Sequence, residues 1–236
     1  MKKNQSILTE RYLETAPIGQ ADTVGLKHLW LEKNLIKYFP GKSARLLDIG
    51  PGQGEALLFW QKLGYKNISS IDISADVAKH IKKLGFECDL VESDADYLNK
   101  RSGTYDLIYI SDVLEHVPKD EIVDLVVAIR TGLRSGGKVI IKVPNAQSPH
   151  ATVGLFGDLT HVQAFTESSL TQLLIASGFK NYFFLAEKLP LNNLKSWIAT
   201  YIIMPMYFFW IRLIRSATGH SSPKILTQAI IAIAEK

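Results

Sequence analysis

Leu46-Leu47-Asp48-Ile49-Gly50-Pro51-Gly52-Gln53-Gly54-Glu55 reads as a buried strand that runs into a glycine-rich turn and then a helix. Leu46, Leu47 and Ile49 supply the strand, with Arg45 at its mouth. The alternating Gly50, Gly52 and Gly54 let the backbone take positive φ and approach a ligand with no Cβ in the way. Glu55 then opens a helix whose unpaired N–H groups face the same gap. A turn of this kind at the carboxyl end of a parallel strand is where open α/β sheets bind nucleotides. A dinucleotide fold calls for G-x-G-x-x-G. Here the order is Asp-x-Gly-x-Gly-x-Gly, with a carboxylate ahead of the first glycine.

The pattern outward from this turn repeats strand and helix. Residues 68–73 form a second strand ending in Asp72, about 20 residues past the glycines, where an acceptor-only carboxylate can take both ribose hydroxyls. Ser74 is better placed than Asp72 to cap the following helix, residues 75–84. A third strand, residues 87–92, leads to Ser93-Asp94-Ala95. Residues 105–118 hold Asp106, an apolar run, Ser111-Asp112 and then Val113-Leu114-Glu115-His116. A helix over residues 119–133 is expected to end at Ser135-Gly136-Gly137, ahead of a fifth strand at 138–145.

Together these segments resemble the class I S-adenosylmethionine-dependent methyltransferases. The resemblance implies that Asp48, Gly50, Gly52 and Gly54 lie against the methionine half of S-adenosylmethionine. It places Asp72 and Ile73 at the ribose, Asp94 and Ala95 at the adenine, and Ser111 and Asp112 beside the transferable methyl. The cofactor has a sulfonium and an ammonium but no phosphates, so a carboxylate near the turn is favourable. The implied fold is a Rossmann-like seven-stranded α/β sheet with its last strand antiparallel and helices on both faces. Under it the chain divides into an N-terminal arm and helix (1–40), a cofactor-binding core (41–187), an apolar helical insertion or cap (188–226) and a final strand (227–236).

Residues 145–166 form a long connection where function is expected. Within and after it, Asp158-x-Thr160-His161…Phe165-Thr166-x-x-Ser169-Leu170 resembles a pattern of methyltransferases associated with bacterial polysaccharide and lipopolysaccharide synthesis. Thr166 and Ser169 start a helix in the capping style. Methyl transfer to a hydroxyl needs an in-line geometry and a proton acceptor. His161 is the candidate base, with Asp158 orienting it or holding a sugar hydroxyl. The plainer alternative is a histidine that braces the loop. Glu115 and His116 read as loop-ordering. A magnesium site from Asp112, Asp158 and His161 is conceivable, but the sequence shows no tight ligand cluster and no metal is expected.

The remaining features set limits. The 236 residues suit one α/β domain with an insertion, and a hydrophobic share of 47% allows a full core. Cys88 is the sole cysteine, which excludes an intrachain disulfide and favours a reducing, cytoplasmic setting. Its surroundings in sequence suggest a small buried hydrophobe. No signal-peptide core follows Met1-Lys2-Lys3. The net charge of +4, with no basic run, argues against nucleic acid as a partner. Residues 1–20 read as an arm or flap over the cofactor. Sixteen uncharged residues lie between Lys195 and Arg212, interrupted by Pro205. They suit a cap over the acceptor, a homodimer contact or a helix lying on the inner membrane face, and fall short of a comfortable span. The acceptor is expected to be a small molecule or glycan, with a lipid or quinone headgroup as the alternative. Rivals of another class are a nicotinamide-dependent reductase and a non-catalytic cofactor-binding protein.

Overall fold

Strands buried on both faces must be apolar at consecutive positions, since parallel sheets are covered by helices on each side. The segments Arg45–Ile49 (β1), Asn67–Asp72 (β2), Glu87–Leu90 (β3), Tyr105–Ser111 (β4) and Leu133–Pro144 (β5) form such a sheet. In this computed structural model, which describes residues 21–189, 191–219 and 223–236, the strand order is β3-β2-β1-β4-β5-β7-β6. β1 to β5 run parallel, and β7 (Ala229–Glu235) lies antiparallel between β5 and β6 (Asn181–Ala186). The seven strands and the antiparallel last strand match the fold expected from sequence. The expected N-terminal arm lies outside the described residues.

The period-2 geometry of the strands divides the core into two layers. Leu47, Ile49, Ile108, Ile110 and Ile141 face one side, against α5 (Ile122–Gly132) and α7 (Glu167–Ala176). Leu46, Leu107, Tyr109 and Ile140 face the other, against α1 (Ala21–Leu35), α2 (Glu55–Lys62) and α3 (Ala75–Lys83). A short α4 (Asp94–Asn99) follows β3. Because β1 is flanked by β2 on one side and β4 on the other, the order in which strands are added reverses between β1 and β4, and a crevice opens above their carboxyl ends. Cys88 is buried in β3, as its sequence setting suggested.

Four details differ from expectation. The helix after Pro118 starts at Ile122 and ends at Gly132, while β5 begins at Leu133. Tyr105 pairs with Leu133 and Leu107 with Lys138, so the Ser135-Gly136-Gly137 segment is a bulge inside the strand rather than a helix terminator. A short helix, α6 (Ala151–Phe156), interrupts the long connection after β5. Pro205 does not split the apolar segment: α8 runs continuously over Leu194–Ala217. It widens to π-helical bonding at Ala199–Ile203, one residue ahead of the proline. That widening accommodates the ring and the missing N–H that would otherwise break the i to i−4 ladder.

Candidate active site

The glycine turn does what its spacing promised. Gly50, Gly52 and Gly54 all have positive φ, at 70°, 53° and 82°. A Cβ at Gly50 would come within 2.5 Å of Val113 Cγ2, so the turn after β1 is packed directly on the loop after β4. The Gly50 N–H donates to the Ile71 carbonyl (3.0 Å), which ties the turn to β2 as well.

Three carboxylates ring the crevice at successive strand ends. Asp48 is buried in β1, and burial pushes its carboxyl well above the ordinary range while the nearby Lys27 ammonium opposes the shift. Asp72, at the tip of β2, accepts from the Ser74 N–H (2.7 Å), and burial raises it to about 6. Ser74 in turn caps α3 through the Val77 N–H, as its position suggested. Asp94 opens α4, and burial, with the Asp72 charge adding, raises it to about 7. Its Oδ1 is buried with no hydrogen-bond partner among the described residues. Ile73 and Ala95 sit beside Asp72 and Asp94, Ile73 exposed at the crevice rim.

At the end of β4, Ser111 donates to Asp112 Oδ2 (2.8 Å), and Asp112 is gripped by Lys142 of β5 at 2.7 and 2.6 Å. Partial desolvation of the half-exposed Asp112 carboxyl would raise it, but the Lys142 and Lys27 ammonium groups outweigh this and hold the group below its usual range. Among the described residues Asp112 is the one non-glycine with positive φ (57°). Backbone held in that region costs on the order of 1–3 kcal/mol and persists where surrounding contacts over-determine it. Sequence reading missed Lys27 and Lys142. The signal for Lys142 was a lysine inside the apolar run of β5.

The loop after β5 is stitched to the loop after β4. The Val162 N–H donates to the Glu115 carbonyl (2.9 Å), and Gln163 Nε2 donates to the carbonyls of Leu114 and Val117. The stitching brings His161 onto His116, with ring centroids 4.7 Å apart. Asp158 accepts from the Thr160 N–H (2.8 Å) and hydroxyl (2.6 Å). That hydroxyl has spent its proton, so it accepts from His116 Nδ1–H at 2.8 Å. The sequence reading had Asp158 orienting His161, whereas its side chain reaches His116 through Thr160. His161 is fixed instead by Nδ1–H donating to the Gly154 carbonyl (2.7 Å), which turns Nε2 toward Glu115 Oε1, 4.0 Å away. Glu115 is fully buried, neither of its carboxylate oxygens has a hydrogen-bond partner among the described residues, and burial raises it to about 8. Asp112 is committed to Lys142, so the conceived grouping of Asp112, Asp158 and His161 is not formed. Glu115, His116 and His161 converge in its place.

Over residues 27–182 the sequence matches the family described as "Methyltransferase domain". The chain belongs to that family. It is an S-adenosylmethionine-dependent methyltransferase. A solved structure of an S-adenosylmethionine-dependent methyltransferase from Archaeoglobus fulgidus superposes with a TM-score of 0.68 at 22% identity, covering 98% of this chain and 99% of that one. One from Thermotoga maritima gives 0.67 at 14% identity, covering 98% and 99%. The Burkholderia thailandensis 1,6-didemethyltoxoflavin-N1-methyltransferase, solved with S-adenosylhomocysteine and its substrate bound, gives 0.59 at 16%, covering 100% and 89%. At these identities the likeness is one of fold. No curated protein matches the chain.

The methyltransferase's own residues fit the cofactor. The orphaned Asp94 Oδ1 needs a donor, which the adenine amino group offers. Asp72 suits the ribose hydroxyls. Asp48, with the Lys27 ammonium close enough to act on its carboxyl, suits the methionine half, which carries an ammonium and a carboxylate. The space above Gly50 leaves no room for a side chain. The family assignment removes the nicotinamide reductase from consideration.

Proposed function

We propose that this methyltransferase transfers the methyl group to a hydroxyl of a sugar or glycan intermediate, one carried on a lipid at the inner membrane face. The observation that carries the reading is the Glu115–His116–His161 cluster beside the end of β4, where an acceptor's proton must be removed. S-adenosylmethionine, when bound, supplies a sulfonium-borne methyl whose C–S bond breaks as an oxygen lone pair takes the carbon. The chain's part is to align that oxygen and accept its proton. His161 faces the cluster with Nε2, and the Asp158–Thr160 pair fixes the tautomer of His116. Burial and the neighbouring His161 hold His116 below its ordinary range, which keeps it neutral near pH 7. The resemblance of the Asp158–Leu170 pattern to polysaccharide methyltransferases supports a sugar acceptor.

α8 supports the lipid carrier. No residue of this 24-residue helix is buried, and Trp197, Tyr201, Met206, Phe209 and Trp210 are all exposed. It carries Lys195, Arg212 and Arg215 and no acid, the composition of a helix that lies in an anionic interface. Crossing is opposed by topology. Residues 218–228 would have to bring the chain back about 30 Å to β7 as unpaired backbone in hydrocarbon. A cleft of about 390 Å³ separates Tyr207, Ile211 and Ile214 of α8 from Gln147 and Ser148 on the acceptor loop. His150 stacks on Tyr207 across the same boundary, 6.1 Å between ring centroids. A lipid tail along α8 would thus leave its headgroup next to the acceptor loop.

The test supplies labelled S-adenosylmethionine with nucleotide sugars, lipid-linked glycans, quinones and phospholipids. Label in the glycan fraction is expected, and His161→Asn should lower kcat by about 10²–10⁴-fold with little change in cofactor affinity. Label confined to quinone or phospholipid headgroups would overturn the sugar assignment.

A further inference from the structure

We propose that Glu115, His116 and His161 form a binding site for one divalent first-row transition ion at the acceptor side of the crevice. The ligand atoms of the three residues lie within 4.8 Å of one another. Ligands of a tetrahedral ion with bonds of about 2.1 Å lie about 3.4 Å apart, so the widest pair would have to close by about 1.4 Å for the shell to form.

The second observation is Glu115. It is fully buried, both carboxylate oxygens lack a hydrogen-bond partner among the described residues, and one of them points at His161 Nε2 from 4.0 Å. A carboxylate buried without a donor is costly unless a cation meets it. The third is the outer shell. Metal-binding histidines donate their second ring N–H to an oxygen that fixes the ring. Both histidines do so here: His161 Nδ1–H to the Gly154 carbonyl, and His116 Nδ1–H to the Thr160 hydroxyl, itself anchored on Asp158. His161 then offers Nε2 as its ligand atom. Asp158, read from sequence as part of the chemistry, becomes a positioning residue for a ligand.

Two imidazoles and one carboxylate suit Mn²⁺, Fe²⁺, Co²⁺ or Zn²⁺ better than Mg²⁺, which takes oxygen ligands. Three protein ligands leave coordination positions open. With His161 Nε2 taken as a ligand, the ion replaces it as the group that activates the acceptor: a hydroxyl held there would lose its proton to water near neutral pH before its oxygen takes the methyl carbon. This role rests on the hydroxyl acceptor proposed above, whereas ion binding does not.

The test is calorimetric titration of the whole protein, stripped with chelator, against Mn²⁺, Co²⁺ and Zn²⁺ with Mg²⁺ as control. One equivalent is expected for the first three, with Mg²⁺ at least 10-fold weaker. Glu115→Gln and His161→Ala should each weaken binding 100-fold or more, and Thr160→Val by 10–100-fold through the outer shell. S-adenosylmethionine titrated into each variant reports whether the fold survives, since Asp72 and Asp94 lie elsewhere. No binding at millimolar ion, or binding that a folded Glu115→Gln variant retains in full, would overturn the site. Methyl transfer to a glycan that survives chelation undiminished would overturn the ion's role at the acceptor. Ion binding with methyl transfer only to non-hydroxyl acceptors would uphold the site and sink the O-methylation reading instead.

Discussion

The two halves of the crevice are built on different plans. On the cofactor side, Asp48, Asp72 and Asp94 stand at or just past the ends of three consecutive strands, each placed by its own βα unit. On the acceptor side, Glu115 and His116 leave β4 while His161 arrives about 45 residues later, and main-chain bonds from Val162 and Gln163 bring them together. The first half is a set of local solutions fixed by the sheet. The second exists only when two loops dock, so its chemistry can change without disturbing the sheet beneath.

That contrast can be broken experimentally, beginning with the largest effect. Gly50→Val puts a branched side chain at φ 70° and into Val113. It should destabilise the protein by about 2–4 kcal/mol and remove measurable S-adenosylmethionine binding. Val113→Ala in the same chain should relieve the clash but not the backbone strain. Denaturant unfolding and calorimetry read both, and a Gly50→Val protein with native affinity would show that the turn is not the cradle.

Next in size, Asp72→Ala should weaken cofactor binding by about 10–100-fold, the loss of charged hydrogen bonds to a ribose. Metal titration of the same variant should be unchanged if the halves are independent, and a parallel loss would show that they are coupled.

The pH dependence sharpens the point. Asp72 and Asp94 rise in the folded state to about 6 and about 7. A raised carboxyl binds its proton more tightly folded than unfolded, so its stabilising contribution is complete below pH 4 and is lost as pH climbs through 6 to 7. The cofactor-free protein should therefore lose a few kcal/mol from these two groups over that window. Cofactor affinity should rise over the same window as the carboxylates ionise to accept its donors. Thermal unfolding with and without S-adenosylmethionine from pH 4.5 to 8 measures both, and parallel curves would count against the two carboxylates as cofactor ligands.

The smallest effect on the folded core is expected in α8. Replacing Trp197 and Trp210 by serine should alter stability by less than about 0.5 kcal/mol, since neither is buried. Sedimentation with phosphatidylglycerol vesicles should fall several-fold, whereas phosphatidylcholine vesicles should bind weakly throughout. Unchanged sedimentation would remove the membrane from the account.

The sequence by itself determined the strand order of chemistry: an acid before the glycines, another at the tip of β2, a third after β3. Those positions follow from period-2 burial and turn geometry, which act over a few residues and leave their mark in the local text. It also determined the capping of α7, where the Ser169 hydroxyl does the work of the usual acid. Tertiary structure alone decided the rest. Asp158 turned to His116 because Thr160 intervenes, and Asp112 was taken by Lys142, a partner 30 residues away on the neighbouring strand. The Ser135–Gly137 segment became a bulge because β5 has to regain register with β4. The convergence of Glu115, His116 and His161 depends on loop docking, and hydrogen bonds between distant loops have no periodicity for a sequence to display.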